Sequence, residues 1–206
     1  MSANFYQTPQ KVFPRFDLGD VILREQEDSD VENFFNYYSS EEVCKYILCE
    51  IPQSIEDTRR ELHYWRGVFY QNDGAYFAIA DKETNKMIGS IGITSYNSYQ
   101  GRIELSYDLA QEYWRRGITT RAIDCIIRYA FEEWNVNRIE ASVSTLNIPS
   151  KNLLLKCGFT LEGILRQHRF HRGRYVDVYF FSLLKEEYFK HHDFEASKNN
   201  LTFGDS

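Results

Sequence analysis

The sequence predicts a mixed α/β domain, with a mostly antiparallel twisted sheet of about seven strands, one parallel pair within it, and about four flanking helices. Three observations lead there. The apolar period is helical before residue 75, strand-like from 75 to 109, and helical again after 117. The three period-two segments in the middle follow one another over short turns, which gives an antiparallel meander. A strand, a long periodic stretch and a further strand then follow in series, and a right-handed crossover makes those two strands parallel.

Each element has its own warrant. Residues 20–24, with Val21, Ile22 and Leu23, read as a first strand. Ser29 is the expected cap of a helix carrying Phe34, Phe35, Tyr37 and Tyr38. The chain is broken over 44–52. Ser54 and Asp57 then stand at capping-box spacing before a helix whose stripe is Leu62, Trp65, Val68 and Phe69. Residues 75–81 and 87–96 form a hairpin about the turn at 82–86, and 102–109 adds a third strand after a turn at 97–101. A break at 111–117 precedes the most clearly periodic helix, with Ala122, Ile123, Ile126, Ile127, Ala130, Phe131 and Trp134. Residues 138–143 alternate as a strand. A helix over 150–157 stops at Gly158, suited to a left-handed cap. The segments 160–172 and 174–184 close a hairpin about Gly173. The domain is expected over 14–190, between an N-terminal tail, 1–13, and a polar tail, 191–206.

Composition narrows the setting. The 206 residues are 43% hydrophobic and 26% charged, as in a globular domain. No run of about eighteen apolar residues occurs, and the polar start carries no leader pattern, so a cytoplasmic protein away from membranes is expected. Cys44, Cys49, Cys125 and Cys157 match neither zinc nor redox spacings and read as reduced thiols. The net charge of −6 opposes nucleic-acid binding and leans toward a cationic partner.

The chemistry concentrates between the third meander strand and the long helix, at Tyr113, Trp114, Arg115, Arg116, Gly117, Ile118, Thr119, Thr120 and Arg121. A helix start presents free N–H groups and the positive end of its dipole, which favours anions. Gly117 removes a side chain where a phosphate oxygen needs close approach. Thr119 and Thr120 add hydroxyls, and the arginines add charge. The pattern reads as a diphosphate cradle, although a glycine and two arginines also make an ordinary solvated turn. Neither phosphate-loop nor dinucleotide glycine spacing is present.

The whole series resembles the GNAT acetyltransferases, in particular the RimJ/RimL-like protein N-acetyltransferases, from about residue 20 to about residue 188. The turn Trp114-Arg115-Arg116-Gly117-Ile118-Thr119 is similar to the family's Gln/Arg-x-x-Gly-x-Gly/Ala. Asn147 with Ser150, then Lys156-Cys157-Gly158-Phe159, then Glu162-Gly163 with Leu165-Arg166, form a second block. Gly173, Tyr175, Asp177 and Leu183 form a third. Trp114 and Thr119 depart from the wider pattern, and the threonine is read as a hydroxyl donor to the diphosphate.

The resemblance implies acetyl-CoA as co-substrate, no metal, and direct attack of a primary amine on the thioester. Tyr107, Asp108 and Leu109 would meet the pantetheine arm through backbone groups, with Asn147 bonding it. Arg115, Arg116, Gly117, Ile118, Thr119 and Thr120 would hold the phosphates. Glu104 is the candidate base, directly or through a water, and is otherwise an exposed strand glutamate. Ser150 is the candidate partner of the leaving sulfur and is otherwise a helix cap. Tyr107 is a third catalytic candidate and is otherwise core. No cysteine has a histidine partner for a covalent route, and His168 and His171 differ by an odd number on one strand, against shared metal ligation. Arg166, Arg169, Tyr175 and Asp177 are acceptor-site candidates by resemblance. The arginines are otherwise solvated charges, and Asp177 otherwise pairs with Arg174. The implied acceptor is a protein N-terminus. The alternatives are a small amine, such as a polyamine, antibiotic or amino acid, and a non-enzymatic acetyl-CoA binder. A monomer or homodimer is expected.

Overall fold

The computed structural model describes residues 11–45, 47–48 and 51–190. The expectations for residues 1–10, for Cys49 and for the tail beyond 190 lie outside these. Eight strands form one sheet in the order β1-β2-β3-β4-β5-β6-β8-β7. They are β1 (Phe16–Asp17), β2 (Val21–Arg24), β3 (Ala75–Asp81), β4 (Met87–Asn97), β5 (Arg102–Leu109), β6 (Arg138–Ser144), β7 (Thr160–His171) and β8 (Arg174–Leu184). All neighbours run antiparallel except β5 and β6. The helices are α1 (Val31–Tyr38), α2 (Glu41–Cys44), α3 (Ile55–Tyr70), α4 (Ile118–Glu133) and α5 (Ile148–Lys156).

Helices cover both faces of the sheet centre, so β3 and β4 are buried on both sides and read as nearly continuous apolar runs. Phe77, Ile79, Ile91, Ile93, Ile103 and Leu105 pack on one face with Ile123, Ile126 and Ile127 of α4. On the other, Ala78 and Met87 pack with Phe34 and Tyr38 of α1 and Leu62 of α3. The stripes expected from periodicity on α3 and α4 are the ones buried.

Three expectations are corrected. β1 is an eighth strand, pairing Phe16 with Leu23 and Asp17 with Ile22, and two residues carry no period to read. Phe13 packs its ring 4.8 Å from those of both Phe69 and Phe77. The region after α1 contains the single-turn helix α2, too short for a stripe. Ser29 is not the cap of α1, because it sits inside the 3₁₀ turn Asp28–Asp30. Asp30 stands at the cap position of α1 without bonding its N–H groups. Its carboxylate accepts from the Glu27 N–H (2.8 Å) and from both guanidinium nitrogens of Arg24 (2.7 and 2.8 Å). Arg24 and Asp30 are 4% and 2% exposed, a burial that only pairing makes tolerable. At α3 the expected cap is present: Ser54 Oγ accepts from the Asp57 N–H (3.1 Å) and donates to its carboxylate (2.8 Å).

Candidate active site

β5 and β6 pair only at Arg102–Arg138, Ile103–Ile139 and Glu104–Glu140. Beyond that point β5 stays with β4 as far as Leu109–Gly89, and β6 stays with β8 as far as Ser144–Val178. The two strands therefore part just after Glu104. An ionic knot holds the closed end: Arg138 donates to Glu162 (2.7 and 2.8 Å) and to Glu140 (2.8 Å), and Arg102 donates to Glu140 (2.9 Å). The Arg138 guanidinium, with Ser182, holds the Glu162 carboxyl down to about 2.

A cavity of 360 Å³ opens where the strands part. Tyr107 and Ser150 line it, joined by a 2.7 Å hydrogen bond between Oη and Oγ. Ser150 is not the cap of α5. Asn147 is, accepting the Ser150 N–H on its side-chain oxygen (3.1 Å), so the helix begins at Ile148 and the serine hydroxyl is left for Tyr107. Burial pushes the Tyr107 phenol well above its usual range, so it stays protonated at neutral pH. Asn147 also lines the cavity.

Asp108 faces the α1 side of the sheet. Its buried carboxylate accepts from Ser90 N–H (3.1 Å), Ser90 Oγ (2.6 Å) and Tyr37 Oη (2.8 Å). Burial raises this carboxyl to about 6 despite those three bonds. Only its backbone is left for the cleft. Glu104 lines the same cavity, with an Arg169 nitrogen 3.7 Å from its carboxylate.

Three further lining residues had no sequence signal of function. Glu61 lies against Trp65, whose indole N–H donates to it (3.3 Å), and burial raises its carboxyl, with Asp108 adding to the rise. Trp65 stacks on Tyr76 with ring centroids 4.4 Å apart. In the sequence, Trp65 belongs to the core stripe of α3 and cannot be told from it. The available hint was Gly92, opposite Tyr76: a Cβ there would stand 2.2 Å from the Tyr76 ring, and glycine inside a strand marks such close approach.

The expected cradle forms the start of α4. Gly117 is left-handed (φ 73°) and so is Arg115 (φ 63°), which folds the backbone into a tight turn. No side chain caps the helix and its first turn carries no acid. A Cβ on Gly117 would meet only Arg121 Nη1, at 3.9 Å, so the space above the turn is open to a phosphate. The N–H groups of Ile118, Thr119 and Thr120 are those a helix leaves unused. Ile118 is buried, while the two threonines are half-exposed. The Trp114 indole N–H donates to the Leu109 carbonyl (2.7 Å), which pins the turn to the end of β5 and accounts for tryptophan at that place. Arg116 lies over the Tyr113 ring and bonds the Glu112 carbonyl (2.7 Å), and Arg121 pairs with Asp20. These residues fit a diphosphate.

Other expectations resolve as follows. Asp177 does not pair with Arg174. It accepts the Gln167 N–H (2.8 Å) across a bulge in β7. Arg169 is exposed, as a solvated charge would be, and also lines the cavity. Burial pushes the Cys125 and Cys157 thiols up to about 11, which leaves no nucleophilic thiolate there at neutral pH. Among the described residues no group of His, Cys, Asp and Glu is placed to hold a metal. No helix among them is long and apolar enough to cross a membrane.

A parted parallel strand pair, with an open helix start at one end and carboxylates at the other, is the arrangement that the resemblance to acetyltransferases implies. The model of the Acetyltransferase (GNAT) domain matches residues 20–160. An uncharacterized N-acetyltransferase, p20, of Bacillus licheniformis is 36% identical over 82% of this chain and 94% of its own. At 26% identity, a putative ribosomal N-acetyltransferase of Bacillus subtilis matches over 82% of this chain and 93% of its own. Also at 26%, the spermidine N(1)-acetyltransferase of Vibrio cholerae matches over 82% and 95%. A solved GNAT-family acetyltransferase from Bacillus anthracis superposes with a TM-score of 0.73 at 26% identity, covering 85% of this chain and 99% of that one. The chain belongs to the GNAT acetyltransferases, enzymes that take their acetyl group from acetyl-CoA.

Proposed function

We propose that the protein acetylates the N-terminal α-amine of a protein by direct attack on acetyl-CoA. The observation that carries this is the position of Glu104 at the point where β5 and β6 part, on the cavity that the bonded Tyr107–Ser150 pair also lines. The N–H groups of Ile118, Thr119 and Thr120 and the threonine hydroxyls receive the diphosphate, with Arg115 and Arg116 adding charge and Gly117 leaving room. Backbone groups of Tyr107, Asp108 and Leu109 and the amide of Asn147 hold the arm.

Acetyl-CoA, when bound, supplies an acetyl group on a thiol of pKa about 8.5, a tolerable leaving group. Glu104 takes the proton of the incoming ammonium, directly or through a water; the freed amine nitrogen forms its bond to the acetyl carbon as the carbon–sulfur bond breaks, and the nitrogen's second proton passes to the sulfur, which leaves as the thiol. Ser150, backed by the protonated Tyr107, gives the sulfur its hydrogen bond. Freeing an α-amine at pH 7 costs about 1 kcal/mol, against about 4.6 kcal/mol for a lysine, so one carboxylate suffices for the first.

A second reading, a small polyamine, draws support from Glu61 beside the aromatic rings of Trp65 and Tyr76, which suit a cation, and from the likeness to a spermidine acetyltransferase. Thiol release from acetyl-CoA, run in parallel with free-N-terminus peptides, polyamines and aminoglycosides, decides between them. Release with peptides alone supports the first reading. Release with small amines alone replaces it with the second.

A further inference from the structure

The tip of the β7–β8 hairpin carries Arg166, His168, Arg169, His171, Arg172 and Arg174 in a chain of net charge −6. Among the described residues, no carboxylate pairs with Arg166, Arg172 or Arg174, and Asp177, the acid close by in sequence, is taken by the Gln167 N–H. The tip reaches toward α2, where Arg172 donates to the Cys44 carbonyl (3.3 Å). Arg169 pairs across the hairpin with Val176, and His171 with Arg174. Alternation therefore puts Arg169, His171 and Arg174 on one face, and Arg169 lines the cavity. On that face His171 keeps an enclosed Nε2 with no hydrogen-bond partner among the described residues.

The charge thus changes sign along the acceptor's path. Glu61 and Glu104 make the inner cavity negative, Arg169 stands at its edge beside Glu104, and Arg174 follows on the same face of the hairpin with Arg172 at the turn. A ligand matched to both is positive at its leading end and negative shortly behind it. We infer that the hairpin tip binds acidic side chains near the start of the acceptor protein, so that the preferred substrate class is an N-terminus followed closely by Asp or Glu. This rests on the peptide reading above. It reverses the lean toward a basic partner that the net charge alone suggests, because that sum hides a local cationic patch. Arg169 stands 3.7 Å from Glu104 and Arg174 lies further toward the tip on the same face, so an extended acceptor, advancing about 3.5 Å per residue from an amine at Glu104, runs its next residues toward Arg174. A polyamine, positive along its length, meets like charge at the rim.

The test compares kcat/KM for three peptides of one length and one first residue, with Asp-Glu, Gln-Gln or Lys-Lys at the second and third positions, at saturating acetyl-CoA. The acidic peptide is expected to exceed the neutral one about tenfold and the basic one by more, with the margin shrinking at 0.5 M salt. In the Arg172→Gln/Arg174→Gln variant, shown folded by its circular dichroism melt, the acidic-to-neutral ratio is expected to fall toward 1. Equal kcat/KM across the three peptides overturns the inference and leaves peptide acetylation standing. Turnover of polyamines with no peptide turned over overturns both. Capture of a single-stranded RNA by the wild type and not the variant, with turnover indifferent to peptide charge, assigns the patch to nucleic acid and overturns it as well.

Discussion

The two ends of the cavity are built from different material. The donor end, as proposed, is made largely of main chain, with a left-handed glycine, three helix N–H groups and strand backbone within residues 107–120, joined by the amide of Asn147. The acceptor end is made of side chains from separate elements, with Glu61 and Trp65 on α3, Tyr76 on β3, Glu104 on β5 and Arg169 on β7. Backbone tolerates most side-chain changes and fails where space is filled. A constellation of side chains answers to single substitutions and drifts freely between relatives, which fits a family that shares its donor and varies its acceptor.

The sharpest way to break the donor end is to fill it. Gly117→Trp, with a bulky side chain on a left-handed backbone in the phosphate space, is expected to weaken acetyl-CoA binding by about 100-fold or more in titration calorimetry, with the fold retained. Unchanged affinity would move the phosphates elsewhere. At the acceptor end, Glu104→Gln is expected to lower kcat/KM about 100-fold while the acetyl-CoA dissociation constant stays put, separating the two ends in one variant. The Tyr107–Ser150 bond spans both. Tyr107→Phe and Ser150→Ala should each lower kcat about tenfold, and the double variant by no more than either, because they act as one unit. Multiplied losses would make them independent.

The smallest effect concerns stability. Asp108 has its carboxyl raised to about 6 by burial, from 3.8 in the unfolded chain. The folded state therefore binds more protons between these values, and this group's contribution is full below about pH 4 and lost as pH rises through about 6. Asp108→Asn keeps one oxygen to accept from Tyr37 Oη and the Ser90 N–H, makes the Ser90 hydroxyl the acceptor of its amide N–H, and removes the titration. Denaturant unfolding should show the variant gaining on the wild type by on the order of 2 kcal/mol between pH 4 and pH 7. A constant difference across that range would place the titration elsewhere.

The turn and helix start at Gly117 were legible because their residues are contiguous and lie where one period stops and another begins. The sheet centre and both long helices were legible from their stripes. β1 was not, since two residues show no alternation, and α2 was not, at four. For Ser150 the sequence left two readings, a partner of the leaving sulfur and a helix cap, and only the fold shows Asn147 in the capping role. Glu61 and Arg169 meet the cavity from positions 108 residues apart, a proximity no local pattern encodes.

The indole of Trp114 ties the phosphate turn to Leu109, and Glu104 stands on the same strand, five residues earlier. At about 3.3 Å per residue, β5 is a ruler of about 17 Å between the anchor of the donor and the group that meets the acceptor. On the reading proposed above, the donor is measured by length as well as by charge. A single residue inserted between Glu104 and Leu109 would lengthen the ruler by one division and turn Glu104 to the opposite face of the sheet, leaving the anchor loaded and the acetyl group out of reach.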